Sequence, residues 1–177
     1  MALVGKPAPD FTMASTKNLA TLDEPVSLSD YRGGWLVLFF YPADFTFVCP
    51  TEILAFSQAV DQFAEAGAQV LAVSTDGVYS HQAWIEFALG KVQFPLASDT
   101  TLRVSRAYGV LREEEGVADR GLFIIDPEGT IRYEVVHDDN TGRSVEEVLR
   151  VLNALSMAAK CPAGWKPGDA TIEVPVG

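Results

Sequence analysis

The chain has 177 residues, 48% hydrophobic and 21% charged, a size that suits one domain and a composition too apolar for a disordered chain. Thirteen basic against 24 acidic residues leave a net charge of −11, which repels phosphate backbones and anionic lipid and argues against nucleic-acid or membrane binding. Its two cysteines, Cys49 and Cys161, exclude a disulfide-dense scaffold and any site needing three or four thiolates.

From the N-terminus, Met1 to Asp10 lacks a basic segment followed by an apolar stretch, so no signal peptide is expected. The most apolar run, Trp35 to Tyr41, is far shorter than the ~20 residues of a membrane-spanning helix. A cytoplasmic protein is expected, in which a cysteine pair is catalytic or redox-active rather than structural.

Trp35-Leu-Val-Leu-Phe-Phe-Tyr41 predicts a strand covered on both faces. Ile53, Phe56, Val60 and Phe63 predict a helix from Pro50 to about Ala66, closed by Gly67. Gln69 to Ser74 predicts a second buried strand, completing a parallel βαβ unit with a right-handed crossover. A helix is expected from Ser80 to Leu89, closed by Gly90, and a short one from about Thr100 to Tyr108. Leu122–Ile125 and Ile131–Val136 flank Asp126-Pro-Glu-Gly129, a hairpin pattern. The last helix opens at Ser144, with Glu147 forming a capping box and an apolar face at Val145, Val148, Val151/Leu152 and Leu155. Residues 161–177 read as an arm outside the core. This element order suggests an α/β, thioredoxin-like sheet with an N-terminal extension and inserted elements. One domain, 1–160, precedes the C-terminal arm.

Cys49 is expected just before, or in the first turn of, the helix that Pro50 opens. Free amides and the dipole at a helix start favour a thiolate. Position alone fits a buried structural cysteine as well. The surrounding residues, Pro42-Ala-Asp-Phe-Thr46-Phe-Val-Cys49-Pro50-Thr51-Glu52, add a P-x3-T-x2-C pattern. Were the end of this loop helical, Thr46 and Cys49 would share a face and the hydroxyl would reach the sulfur.

This segment resembles the peroxiredoxin active-site loop. Gly5-Lys-Pro-Ala-Pro-Asp-Phe11, Ser74-Thr-Asp76 with Ser80-His-Gln-Ala-Trp84, Arg120 to Asp126 and Cys161 to Gly168 extend the likeness along the chain. The whole is similar to typical 2-Cys peroxiredoxins, including the bacterial alkyl hydroperoxide reductase C subunit. The resemblance implies a thiol peroxidase acting on hydrogen peroxide and organic hydroperoxides, without a bound cofactor. It makes Cys49 the peroxidatic nucleophile, Thr46 the hydroxyl that orients sulfur and peroxide, and Pro42 a shield of the pocket. Arg120 becomes a fixed cation beside the sulfur, although its acidic neighbours also suit a surface ion pair. Glu52 and Arg143 are second-tier candidates, which also fit helix-end electrostatics.

The resemblance also makes Cys161 the resolving thiol, which captures the Cys49 sulfenic acid of the partner subunit as an intersubunit disulfide. It implies a homodimer, assembled into a decameric ring, and a thioredoxin-like or flavoprotein disulfide reductase as electron donor. Peroxide-sensitive members carry a Gly-Gly-Leu-Gly insertion and a C-terminal Tyr-Phe helix. Here Leu89-Gly-Lys-Val-Gln93 and Val174-Pro-Val-Gly177 stand in those places, implying easier unwinding at Cys49 and resistance to over-oxidation.

Two rival readings are a thioredoxin-like disulfide exchange protein, disfavoured because no C-x-x-C is present, and a ring-forming holdase chaperone. His81 and His137 do not pair with the cysteines at metal-site spacing, and no nucleotide-binding loop is present. Trp84 is expected in the core and Glu113-Glu-Glu115 in a solvated turn.

Overall fold

The computed structural model describes residues 2–157 and 159–173. Strands β1 (Thr12–Ser15), β2 (Val26–Ser27), β3 (Trp35–Phe40), β4 (Ala68–Ser74), β5 (Leu96–Ser98), β8 (Arg120–Ile125) and β9 (Ile131–His137) form one seven-stranded sheet in the order β2-β1-β5-β4-β3-β8-β9. β3, β4 and β5 are parallel, whereas β8 and β9 extend the sheet antiparallel from β3. β6 (Leu111–Arg112) and β7 (Val117–Ala118) make a separate hairpin. This is the expected α/β, thioredoxin-like architecture.

The apolar β3 run is explained by two cores, one on each face of the sheet. Val37 and Phe39 point into the core that α1 (Cys49–Gln58), α2 (Val60–Glu65), α3 (Val78–Trp84) and α5 (Val145–Ser156) help build. Leu36, Leu38 and Phe40 point into the other, with Phe11, Met13, Tyr31 and residues of α4 (Arg103–Ala107). Period-two alternation therefore survives, with both faces buried. Phe39 stacks on Phe56 of α1 with ring centroids 4.5 Å apart, which seats the helix carrying Cys49 on the sheet.

Several boundaries differ from the expected ones. The helix predicted over 50–66 is two helices, broken where the Ala59 backbone opens to φ −95, ψ 5 and its N–H is shared between the Ala55 and Phe56 carbonyls. The helix predicted from Ser80 begins at Val78 and passes into a π-helical turn, Ile85–Leu89, where Gly90 N–H bonds back to the Ile85 carbonyl. The Asp126–Gly129 turn forms with Gly129 at φ +81. Ser144 caps α5 by accepting the Glu147 N–H at 3.2 Å. The Glu147 carboxylate binds Arg150 instead of returning to the cap, so only half of the capping box forms. β1, β2 and β5 are two to four residues long, too short to give a readable period.

Beyond α5 the chain folds back. Trp165 is 3% exposed, its carbonyl accepts from Arg150, and Lys160 bridges to Ile172. The arm is thus packed on its own helix at Trp165, because a large indole gains more from burial than from solvent. Val174–Gly177, the C-terminal end compared above, lies outside the described residues. Among the described residues no helix is long and apolar enough to cross a membrane.

Candidate active site

Cys49 opens α1 immediately before Pro50 and is 1% exposed. Its position follows from the chain path. β3 ends at Phe40, a loop over 41–48 crosses the end of the sheet, and proline, which has no N–H, starts the helix at little cost. Arg120, first residue of β8, aims Nη1 at the sulfur from 3.4 Å and at Glu52 Oε2 from 2.7 Å. Glu52 lies one turn into α1, on the face that carries Cys49.

Arg143 grips the same carboxylate from the other side. Its Nε and Nη2 donate to Glu52 Oε1 and Oε2 at 2.7 and 2.9 Å, a bidentate pair, and its own backbone N–H donates to Oε1 at 2.8 Å. Its Nη1 donates to the Gly121 carbonyl, and the guanidinium lies over the Phe39 ring. The four side chains of Cys49, Glu52, Arg120 and Arg143 are all buried. Glu52 and Arg143 therefore form the centre of the cluster and are not helix-end decoration. Arg120 is likewise no surface partner of Glu113–Glu115, two of which pair instead with Arg106 and Arg112.

The charges decide what the pocket favours. Burial alone would raise the Glu52 carboxyl, but the Arg143 hydrogen bonds and the charges of Arg143 and Arg120 hold it below its ordinary value. Burial alone would lower Arg120, and the sulfur and Glu52 outweigh it and raise it. Arg143 is lowered by burial, against the pull of Glu52. One carboxylate faces two guanidinium groups, so one positive charge is left over. The Cys49 sulfur lies against that charge, 3.4 Å from Arg120 Nη1.

Thr46 is placed differently from its expected contact. α1 begins at Cys49, with Val48 as its N-cap in helical conformation, so Thr46 lies outside the helix. Thr46 Oγ1 donates instead to the Ala43 carbonyl at 2.9 Å and is exposed. Pro42 is buried directly after Tyr41.

The sequence did not single out a second buried cluster, which fixes this loop. Asp44 Oδ1 accepts from the Tyr41 hydroxyl and Oδ2 lies 2.8 Å from His81 Nδ1, while the other ring nitrogen faces the Ala97 carbonyl. The Asp44 N–H donates to Asp76, which also accepts from Ser74. Burial and the Asp44 charge push the Tyr41 hydroxyl well up, keeping it a donor. Anchored at Asp44, the chain sustains a left-handed backbone at Phe45, φ 55. No spacing signal joins Asp44 to His81 across 37 positions. A buried carboxylate could have been suspected only from the apolar residues around it.

Cys161 is half-buried, with Sγ 3.8 Å from the Ala154 carbonyl. Both cysteines are free thiols. Among the described residues no group of three or more His, Cys, Asp or Glu side chains is arranged to hold a metal ion.

Residues 4–134 match the AhpC/TSA family. Rattus norvegicus peroxiredoxin-2 is 50% identical over 97% of this chain and 90% of its own length. Schizosaccharomyces pombe peroxiredoxin tpx1 is 50% identical over 96% and 92%. Among solved structures, the reduced Plasmodium vivax 2-Cys peroxiredoxin superposes with a TM-score of 0.91 at 34% identity, covering 97% of this chain and 93% of that one. Mycobacterium bovis AhpC gives 0.82 at 37% identity, covering 94% and 100%.

Proposed function

This chain belongs to the AhpC/TSA family and is a peroxiredoxin-type thiol peroxidase, and from that premise we propose that Cys49 is its peroxidatic nucleophile and Cys161 its resolving thiol. The observation that carries the reading is Arg120 Nη1 at 3.4 Å from the buried Cys49 sulfur, in a cluster with one positive charge in excess.

The thiolate attacks the terminal oxygen of hydrogen peroxide or an organic hydroperoxide. The S–O bond forms as the O–O bond breaks, sulfur is oxidised by two electrons, and the departing oxygen is protonated to water or an alcohol. Arg120 faces the charge that develops, and its planar fork donates to two atoms at once. Thr46 Oγ1 serves the peroxide after turning from Ala43, and Pro42 walls the pocket. Glu52 and Arg143 hold Arg120 in place.

The Cys161 thiol of a second subunit then attacks the sulfenic sulfur. The S–S bond forms and hydroxide leaves as water. Both cysteines of the chain are free thiols, and the transfer is proposed between subunits. Local unwinding at Cys49 accompanies the step, since a sulfur 1% exposed is out of reach of another chain. A thioredoxin-like or flavoprotein disulfide reductase, supplying two electrons and two protons, restores the thiols. The short Leu89–Gln93 segment favours easy unwinding and resistance to over-oxidation.

Subunit association in a homodimer, and of dimers into a decameric ring, is supported by two exposed features. β9 is the edge strand of the seven-stranded sheet; Gly5 and Lys6 bond to its first residue, Ile131, and Val136 further along is half exposed. Phe45, Phe47, Tyr79 and Phe87 are 58–95% exposed on the Cys49 loop and the α3 segment, as suits a contact surface. Two free thiols suit the reducing cytoplasm. A thioredoxin-like exchanger is not favoured, since the relatives are peroxiredoxins.

A non-reducing gel tests the resolving step. Protein treated with one equivalent of hydrogen peroxide should run as a covalent dimer, and Cys161→Ser should run as a monomer. A covalent dimer persisting in Cys161→Ser, or an oxidised wild type with an intrachain disulfide, would contradict the assignment.

A further inference from the structure

Arg120 is held at its far end as well as at the sulfur. Its Nε donates to the Asp139 carbonyl at 2.8 Å, in the loop after β9. Asp119, the residue before it, follows the β6–β7 hairpin directly. Both neighbours lead to one side chain, Arg112, the last residue of β6. Arg112 Nη2 donates to Asp139 Oδ2 at 3.0 Å. Its Nη1 lies 3.0 Å from Glu115 Oε2, and its Nε lies 3.3 Å from Asp119 Oδ1. One guanidinium thus spans three carboxylates, and Asp138 adds a fourth acidic neighbour. The crowding shows at Asp119. Burial pushes its carboxyl up, Arg112 pulls it down, and Asp139, Asp138 and Glu115 push it up again.

We propose that Arg112 is a positioning residue for peroxide reduction: by clamping Asp139 and Asp119 on either side of Arg120, it keeps the Arg120 guanidinium on Cys49. The inference rests on the reading of Cys49 as the peroxidatic nucleophile. Its first physical basis is geometric. A guanidinium is planar, so anchoring Nε fixes the direction in which Nη1 points. The tie from Arg112 to Asp139 holds the loop that supplies that anchor. The second is electrostatic. Without Arg112, the carboxylates of Glu115, Asp119, Asp138 and Asp139 lose their shared counter-charge and compete with the sulfur for Arg120. Both effects act on Cys49 through Arg120, and Arg112 itself touches neither sulfur nor peroxide.

The test uses a Cys161→Ser background, in which Cys49 is the one remaining thiol. Arg112→Gln should lower the second-order rate constant for hydrogen peroxide about tenfold, the scale of a modest misplacement of a catalytic group. Alkylation of Cys49 by iodoacetamide, followed across pH, should shift to higher pH, a change that a merely structural role would not produce. Asp139→Ala keeps the backbone carbonyl but cuts the tie, and should move both readouts the same way by a smaller factor. The double variant should be no slower than Arg112→Gln, because both changes break one clamp. Should Arg112→Gln fold poorly, Asp139→Ala decides alone. A folded Arg112→Gln or Asp139→Ala protein with a rate constant within about twofold of its parent and an unmoved alkylation profile overturns the proposal. Failure of the underlying reading looks different: Cys49→Ser would then still consume peroxide, whatever Arg112 does.

Discussion

Cys49→Ser is expected to reduce the second-order rate constant for peroxide by on the order of 10⁴–10⁶, the range seen when a nucleophile is removed from an active site that otherwise stays intact. The hydroxyl of serine is far less acidic than a thiol, so the one excess positive charge beside it cannot make it an anion at neutral pH. Its oxygen is also a poor electron donor to an O–O bond. The substitution removes one buried sulfur and leaves Glu52, Arg120 and Arg143 paired, so thermal stability should change little. A peroxide-consumption assay with excess dithiol, beside a thermal melt, separates lost chemistry from lost structure. A variant that keeps its melting temperature and loses its rate supports the assignment. Substantial residual turnover by Cys49→Ser would remove it.

The largest loss of stability is expected at Glu52. In Glu52→Gln the shape is preserved, but two buried guanidinium groups lose their shared counter-charge. Breaking a buried ion pair from one side costs about 3–5 kcal/mol, which for a chain of this size lowers the melting temperature by roughly 6–20 °C. The pH dependence follows from the sign of the Glu52 shift. Its folded-state value lies below the ordinary 4.5, so its contribution is fully present above that value. The contribution is lost as pH falls through the lowered folded value. The variant should accordingly show a flatter acid limb in a plot of stability against pH. Peroxide reduction should also slow, by about tenfold, because Arg120 loses the carboxylate that aligns it. Differential scanning calorimetry between pH 3 and 7 (roughly the span over which a carboxylate titrates) checks the first effect, and stopped-flow kinetics checks the second.

What could be read from the sequence was local. Pro50 after Cys49, Ser144 at the start of α5 and Asp126-Pro-Glu-Gly129 each specify a backbone conformation within a few residues, and each element starts or turns where they stand. The β3 run announced a strand buried on both faces because its apolar residues leave no polar side. The chemistry of the site is non-local: the resemblance named Cys49, Arg120, Glu52 and Arg143, but the contacts that join them could not be read from the sequence. Glu52 and Arg143 are 91 positions apart, and nothing in their spacing says that they form a bidentate pair. The Asp139 and Gly121 carbonyls that orient the two arginines belong to the backbone and leave no residue-type signature. Thr46 illustrates the converse case. A spacing of three would share a face only on a helix, and the helix begins at Cys49. Trp165 was hidden in a Pro- and Gly-rich segment whose composition gave no sign of its packing against α5.

The central claim is that a Cys49 thiolate, held against Arg120 in a cluster with one positive charge in excess, is the group that meets peroxide. Its most direct measurement is a single turnover of Cys161→Ser with one equivalent of hydrogen peroxide, in the presence of a reagent that traps sulfenic acids, followed by peptide mass spectrometry. The account predicts close to one trapped adduct per chain, on the peptide carrying Cys49, with peroxide consumed at the same rate as the thiol is lost. Peroxide consumed while Cys49 remains an unmodified thiol would contradict it.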